Sequence, residues 1–172
     1  MISVDLDSTL NDLMYKWIGY INERSKSNYS IKDIKIFDDP ILINALEFVE
    51  RDDLYSDLSP LIGANDFLDA LKKIDEVQIV SVTSENHFNG KQEFIKKYFP
   101  ETKFILVQES KIDTVDGTIL IDDKLSTVIE HSERGNLGIV FNNNEYIYNK
   151  TPNHFSGGYD KIIEYLEGAC ND

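Results

Sequence analysis

Two carboxylates stand at positions 5 and 7 of the chain, at the end of the run Ile2-Ser3-Val4-Asp5-Leu6-Asp7-Ser8-Thr9-Leu10. In an extended segment residues i and i+2 share a face, so Asp5 and Asp7 point together off the end of a short β-branched strand. Like charges held that close repel unless a metal cation or a shared proton relieves them. A role pair that fits is a carboxylate nucleophile beside a general acid/base. A plain strand end followed by a solvated Asp-Ser-Thr turn fits the same residues.

Two further apolar runs end in groups of related chemistry. Val77-Gln78-Ile79-Val80-Ser81-Val82 ends in Thr83-Ser84, and Thr118-Ile119-Leu120-Ile121 ends in Asp122-Asp123. A phosphoryl-transfer site needs a nucleophile, donors for the equatorial oxygens, positive charge and a cation. Thr83 and Ser84 can donate to phosphate oxygens, and Lys91 or Lys111 can supply the positive charge. Asp5 with Asp122 or Asp123 offers hard oxygen ligands of the kind Mg²⁺ prefers. Each piece alone also has an ordinary reading as a helix cap, a solvated loop or a surface lysine. Their common position, at strand ends, is what joins them.

The elements that must carry these residues alternate. Leu13, Met14, Trp17, Ile18 and Ile21 recur at helical spacing. Asp38-Asp39-Pro40 is a helix-start signal, and Leu42, Ala45, Leu46 and Val49 give the next helix an apolar side. Helices are also predicted from Ala64 to Ile74, through Phe94 to Phe99, through Val128 and Ile129, and from Tyr159 to Leu166. Phe104–Val107 and Thr118–Ile121 read as strands buried on both faces, and Gly138–Phe141 as another strand. Strands alternating with helices predict a parallel sheet covered on both faces. Residues from about 12 to 60 exceed the dozen or so needed for one crossover and read as a helical module inserted after the first strand.

Composition narrows the class. The chain has 172 residues, 41% of them hydrophobic, which allows one domain with a real core. A formal charge of -14 argues against a nucleic acid polymer as partner, though not against a small phosphorylated ligand. The single cysteine, Cys170, can form no internal disulfide. Acidic residues stand where a signal peptide needs basic ones, and no apolar run approaches the roughly 20 residues of a membrane span, so a cytoplasmic protein is expected. His87, His131 and His154 are scattered and receive no role.

Asp5-Leu6-Asp7-Ser8-Thr9 resembles the first motif of the haloacid dehalogenase superfamily, Asp-x-Asp-x-Thr/Val. Val80-Ser81-Val82-Thr83-Ser84 resembles its second motif and Leu120-Ile121-Asp122-Asp123 its fourth; the third is a single lysine. Within the superfamily the chain is most similar to the 5′(3′)-deoxyribonucleotidases. Leu58-Ser59-Pro60-Leu61-Ile62-Gly63-Ala64 is similar to their return from cap to core, and Lys91 with Phe94-Ile95-Lys96-Lys97-Tyr98-Phe99 to their lysine-bearing helix. The resemblance implies an α/β fold: a Rossmann-like three-layer core with a parallel sheet (residues 1–11 and 61–172) and a small inserted helical cap (12–60). It implies a Mg²⁺-dependent phosphomonoesterase acting on deoxyribonucleoside monophosphates. Asp5 would attack phosphorus to form an aspartyl-phosphate, and Asp7 would act as acid and then base. Thr83 and Ser84 would hold the phosphoryl oxygens, with Lys91, or as second choice Lys111, offsetting their charge. Asp5, Asp122 or Asp123, and the Asp7 carbonyl would hold Mg²⁺.

The chain departs from the family pattern in places. Ser8 replaces a common glycine, Gln108 and Glu109 precede Lys111 where an arginine is expected, and the cap is poor in aromatic residues, with Phe37 and Leu13 the nearest candidates to meet a base. Two other readings remain: a phosphatase of sugar phosphates or other small metabolites, and a non-catalytic phosphate-binding or regulatory module. Intact Asp5 and Asp7 speak against the second. A receiver domain is rejected because its acidic pair precedes its phosphorylated aspartate, whereas here the Asp122-Asp123 pair comes last.

Overall fold

A computed structural model describes residues 1–34, 39–142 and 154–169. Phe37, Asp38 and Cys170, which the sequence reading singled out, lie outside the described residues. Strand β1 (Ile2–Val4) is followed by helix α1 (Leu13–Ser25) and two one-turn helices, α2 (Pro40–Ile43) and α3 (Glu47–Glu50). Then come α4 (Ala64–Ile74), β2 (Val77–Val82), α5 (Phe88–Tyr98), β3 (Lys103–Val107), β4 (Ile119–Asp122), α6 (Leu125–Glu133), β5 (Gly138–Phe141), β6 (Ser156–Gly157) and α7 (Tyr159–Ala169).

The expected parallel sheet is present. Among the described residues it has six strands in the order β3-β2-β1-β4-β5-β6, every neighbouring pair parallel. Sequence order reverses at β1, where the chain leaves toward β2 on one side and β4 on the other. The carboxyl ends of strands at such a reversal form the crevice in which open α/β sheets bind ligands. Register keeps those ends together: Val4 pairs with Ile79 of β2 and with Ile121 of β4, and the Asp5 amide donates to the Ile121 carbonyl at 2.9 Å.

Ile2, Val4, Ile79, Leu120, Ile121, Ile139 and Val140 are all buried, as near-continuous apolar strands require when both faces are covered. Strand β3 differs. It is the sheet's edge, and Ile105 is 39% exposed, so its apolar run does not mark burial on two faces. Strand β6 is two residues, Ser156-Gly157, and neither has the β-branched character that marks a strand in a sequence.

Between β1 and β2 the chain is helical and returns to where it left. Asn11 bridges Pro60 in antiparallel fashion, the Asp12 amide donates to the Ser59 carbonyl at 3.0 Å, and the Leu61 amide donates to Leu10 at 2.9 Å. Helix α1 buries Met14, Trp17, Ile18 and Ile21, the stripe its spacing predicts. Asp39 accepts from the Ile41 amide and Pro40 opens α2, again as expected. The single helix expected onward from Pro40 is instead broken over residues 44–46. The Ala45 carbonyl there accepts the Trp17 indole N–H at 2.9 Å, and Phe48, not the 40%-exposed Leu46, turns inward. A tertiary hydrogen bond has outweighed local helix propensity. Gly63, at φ 84, takes the left-handed conformation that lets the returning chain turn into α4.

Candidate active site

The turn after β1 is built around one side chain. Asn11 Oδ1 accepts from the Ser8 amide at 3.0 Å and the Leu13 amide at 3.2 Å, while its Nδ2 donates to Asp7 Oδ1 at 2.9 Å. Ser8 sits at φ 59, a conformation costly for a residue with a Cβ, and the Asn11 clasp is what holds it there. This accounts for a serine where glycine is common. Thr9 is fully buried; its hydroxyl accepts from the Asp123 amide at 3.1 Å, tying the β1 turn to the β4 turn.

Two buried lysines organise the carboxylates, Lys111 meeting Asp5 and Asp122 and Lys91 meeting Asp7. Lys111, 6% exposed, donates to Asp5 Oδ1 and stands 2.7 Å from Asp122 Oδ2. Lys91, 2% exposed on α5, donates to Asp7 Oδ2 at 2.7 Å, to Ser81 Oγ at 3.1 Å and to the Val82 carbonyl. Its three ammonium protons thus have three acceptors. Tyr55, in the 3-10 turn Leu54–Ser56, donates its hydroxyl to Asp7, lying 2.9 Å from both carboxylate oxygens.

Asp5, Asp122 and Asp123 are all buried, and each offers one oxygen within 4.8 Å of the others'. Burial pushes Asp5 up to about 7; the Lys111 charge opposes this, and the charges of Asp122 and Asp7 add to it. Burial, followed by the charges of Asp122 and Asp5, raises Asp123 well above the usual carboxylate range. Asp7 goes the other way. Burial would raise it, but the Lys91 charge and hydrogen bonds from Lys91, Asn11 and Tyr55 hold it below the ordinary value. A buried set of hard oxygens whose ionised forms repel one another suits a small divalent cation such as Mg²⁺.

The sequence-predicted residues fall into place unevenly. Lys91 pairs with Asp7, and Lys111 pairs with Asp5 and Asp122, beside which Asp123 lies. Thr83 is buried at the end of β2, its hydroxyl donating to the Ser84 carbonyl at 3.1 Å. Ser84 is exposed, and its hydroxyl donates to Asn86 Oδ1 at 2.6 Å. Lys91, the first choice from the sequence for the phosphate charge, meets the Asp7 carboxylate, and Lys111, the second choice, meets Asp5 and Asp122. Asn11 and Tyr55 escaped the sequence reading, and Thr9 entered it only as the last residue of the first motif, without a role. Asn11 and Thr9 adjoin the Asp pair and carried a signal by nearness; Tyr55 carried none. His131 is fully buried with Nε2 2.9 Å from the Thr118 carbonyl, remote from these contacts, and His87 Nε2 meets the Arg51 carbonyl at 3.0 Å.

Residues 1–158 match the model of the family described as 5′ nucleotidase, deoxy (pyrimidine), cytosolic type C protein (NT5C). The chain belongs to this family. It is a phosphoric monoester hydrolase with the haloacid dehalogenase fold. Relatives named 5′(3′)-deoxyribonucleotidase, from Bacillus subtilis strain 168 and from Bacillus phage SPbeta, are each 31% identical over 132 residues, covering 72% of this chain and 75% of theirs. Among solved structures, a haloacid dehalogenase-like family hydrolase from Streptococcus pneumoniae superposes with a TM-score of 0.62 at 14% identity, covering 96% of this chain and 97% of its own. A Bacillus subtilis HAD hydrolase bound to magnesium gives 0.60 at 11% identity, with the same coverage of 96% and 97%. Among the described residues no helix is long and apolar enough to cross a membrane.

Proposed function

We propose that the protein is a Mg²⁺-dependent, cytoplasmic phosphomonoesterase that removes phosphate from deoxyribonucleoside monophosphates through an aspartyl-phosphate on Asp5. The observation that carries the chemistry is the buried Asp5 carboxylate, paired with Lys111 inside a cluster of three carboxylates at the reversal point of the sheet. The deoxynucleotide substrate is supported by the relatives' names at 31% identity.

In this reading Asp5 attacks phosphorus, the ester P–O bond breaks, and Asp7 gives its proton to the departing alkoxide. Asp7 then takes a proton from the water that attacks the aspartyl-phosphate, which releases inorganic phosphate and restores Asp5. The low resting proton affinity of Asp7 suits the second step; an arriving phosphate dianion raises that affinity for the first. Lys111 offsets charge at Asp5 and on the phosphoryl oxygens, and Lys91 keeps Asp7 in place. Thr83 and Ser84 are assigned to the phosphoryl oxygens.

Asp5, Asp123 and the Asp7 carbonyl would hold the metal. Asp122 Oδ1 accepts the Lys124 amide at 2.8 Å and its Oδ2 faces the Lys111 ammonium, as Asp5 Oδ1 also does, so Asp122 stays the alternative ligand to Asp123. Bound Mg²⁺ would supply electrostatic stabilisation of the charge that develops on the phosphoryl group. The substrate is a small phosphorylated molecule and not a polymer, given the net charge of -14.

The test is phosphate release from a panel of deoxynucleoside, ribonucleoside and hexose monophosphates, with Mg²⁺ and with chelator. Deoxynucleotides should turn over fastest, by at most about 10²-fold over ribonucleotides, because an apolar pocket rejects one added hydroxyl only weakly. Equal rates on all three classes would remove the nucleotidase reading, and a rate insensitive to chelator would remove the metal.

A further inference from the structure

Of the three donors on the Asp7 carboxylate, two come from the sheet and its helices and one comes from the helical segment between β1 and β2. Asn11 belongs to the β1 turn and Lys91 to α5; Tyr55 alone reaches in from the far end of that segment, 48 residues away in sequence. Its ring is 6% exposed and wedged. Phe94 and His87 meet it edge-on, at centroid distances of 6.2 and 5.8 Å. Gly90 of α5 also faces it, and a Cβ there would lie 3.4 Å from Tyr55 Cβ, in van der Waals contact. A phenol this buried needs a hydrogen-bond partner. It has taken both oxygens of the one carboxylate assigned to proton transfer.

A carboxylate gripped by three donors from three directions has little rotational freedom. Asn11 stands at the foot of the inserted segment and Lys91 on α5, so the contact to Asp7 that lifting the far end of the segment breaks is the Tyr55 hydroxyl. We propose that Tyr55 is a positioning residue that sets Asp7 for proton transfer, so that Asp7 is fully aligned only while the inserted segment is seated on the sheet. The proposal rests on the acid/base role given to Asp7 above. It assigns Tyr55 no contact with phosphorus and no proton of its own in the reaction.

The consequence depends on the leaving group. A deoxynucleoside 5′-alkoxide needs a proton to depart, whereas p-nitrophenolate leaves without one. The ratio kcat/KM reports only the steps through leaving-group departure, so it isolates the acid step from hydrolysis of the aspartyl-phosphate. Misplacing a catalytic group can cost up to about 10²-fold. Tyr55→Phe keeps the ring and removes only the hydroxyl. It should lower kcat/KM on a deoxynucleoside monophosphate about 10- to 100-fold and on p-nitrophenyl phosphate less than about threefold, with the melting temperature within about 5 °C of wild type.

Equal losses on the two substrates, or no loss on either, overturn the proposal. Crystal structures of wild type and Tyr55→Phe decide it independently of turnover: an Asp7 carboxylate that shifts or splits in the variant supports it, and one in the same place in both overturns it. Wild-type protein inactive on both substrates would instead remove the phosphatase reading, with the structural comparison still deciding whether Tyr55 positions Asp7.

Discussion

Asp5 sits where an ionised carboxylate is costly, 6% exposed, with Asp122 and Asp7 adding their own charges. Its folded proton affinity, raised to about 7 from an ordinary 3.8, means the metal-free native state holds a proton there that the unfolded chain has already lost. Stability therefore falls as pH rises between those two values, because the native state binds more protons than the unfolded one. Asp5→Asn removes that titration. Without metal, Asp5→Asn should melt above wild type at pH 8, and the gap should narrow through pH 5 and close only near pH 4, as differential scanning fluorimetry would show. Added Mg²⁺ should raise wild type far more than the variant, since a ligand that binds only the native state stabilises it. A gap independent of pH would mean that burial does not govern Asp5. The same variant should lose nearly all turnover.

Residues that follow a strand were the ones legible from the sequence. Asp5 and Asp7, Thr83 and Ser84, and Asp122 and Asp123 each end an apolar run, and a parallel sheet gathers such ends at one edge. Which lysine meets which carboxylate was not legible. Lys91 lies on a helix and Lys111 in a connection, so the reach of each depends on how those elements dock and not on local spacing.

Elements were legible where one force dominated. The stripe of α1 and the apolar runs of β2, β4 and β5 are long or strongly patterned, and each fell where hydrophobic period placed it. Errors arose where a neighbour decided the outcome. The Trp17 indole takes the Ala45 carbonyl and interrupts the second helix of the insertion, and β3 became an edge because nothing pairs beyond it among the described residues. The docking of α6 on β5 tests how tightly the elements are fitted. A Cβ on Gly138 would lie 2.7 Å from Ser132 Oγ, 2.8 Å from Val128 Cγ1 and 2.9 Å from the Val128 carbonyl. Backbone is among those atoms, so the clash cannot be relieved by a rotamer change alone. Gly138→Ala should destabilise the fold by about 1–3 kcal/mol, the usual cost of overpacking. Urea unfolding would measure this, and an unchanged midpoint would show that α6 yields freely. Because Gly138 stands at the start of β5, away from the strand ends, turnover per folded molecule should not change.

At the scale of the whole molecule, the insertion is seated on the sheet through its last residues. Besides the Tyr55 contact with Asp7, the Asn86 side chain donates to the Glu50 carbonyl and to Asp52 Oδ1, each at 3.2 Å. His87 meets the Arg51 carbonyl, so residues 50–55 rest on the start of α5. In this arrangement the assigned nucleophile is nearly covered and the Asp7 side chain is only 25% exposed. Met14 and Trp17 of the insertion are buried in its packing against the rest of the core. The described residues thus leave little of either carboxylate open to solvent in this state. If the insertion is a lid, it would lift for substrate to enter and reseat for Asp7 to work, a gating step on the scale of ordinary lid motions. The hinge is already marked by the paired exit and return at Asn11 and Pro60. Fixing the seated state should then block turnover. Cysteines introduced as Asp52→Cys and Asn86→Cys, in a background where Cys170→Ser removes the native thiol, can be bridged with a short bifunctional maleimide. Bridging should lower kcat/KM on a deoxynucleoside monophosphate by at least about tenfold, while the unbridged double variant keeps most of its rate. If the bridged protein turns over as fast as the unbridged one, the seated structure already admits substrate, and the insertion is a fixed wall of the site and not its lid.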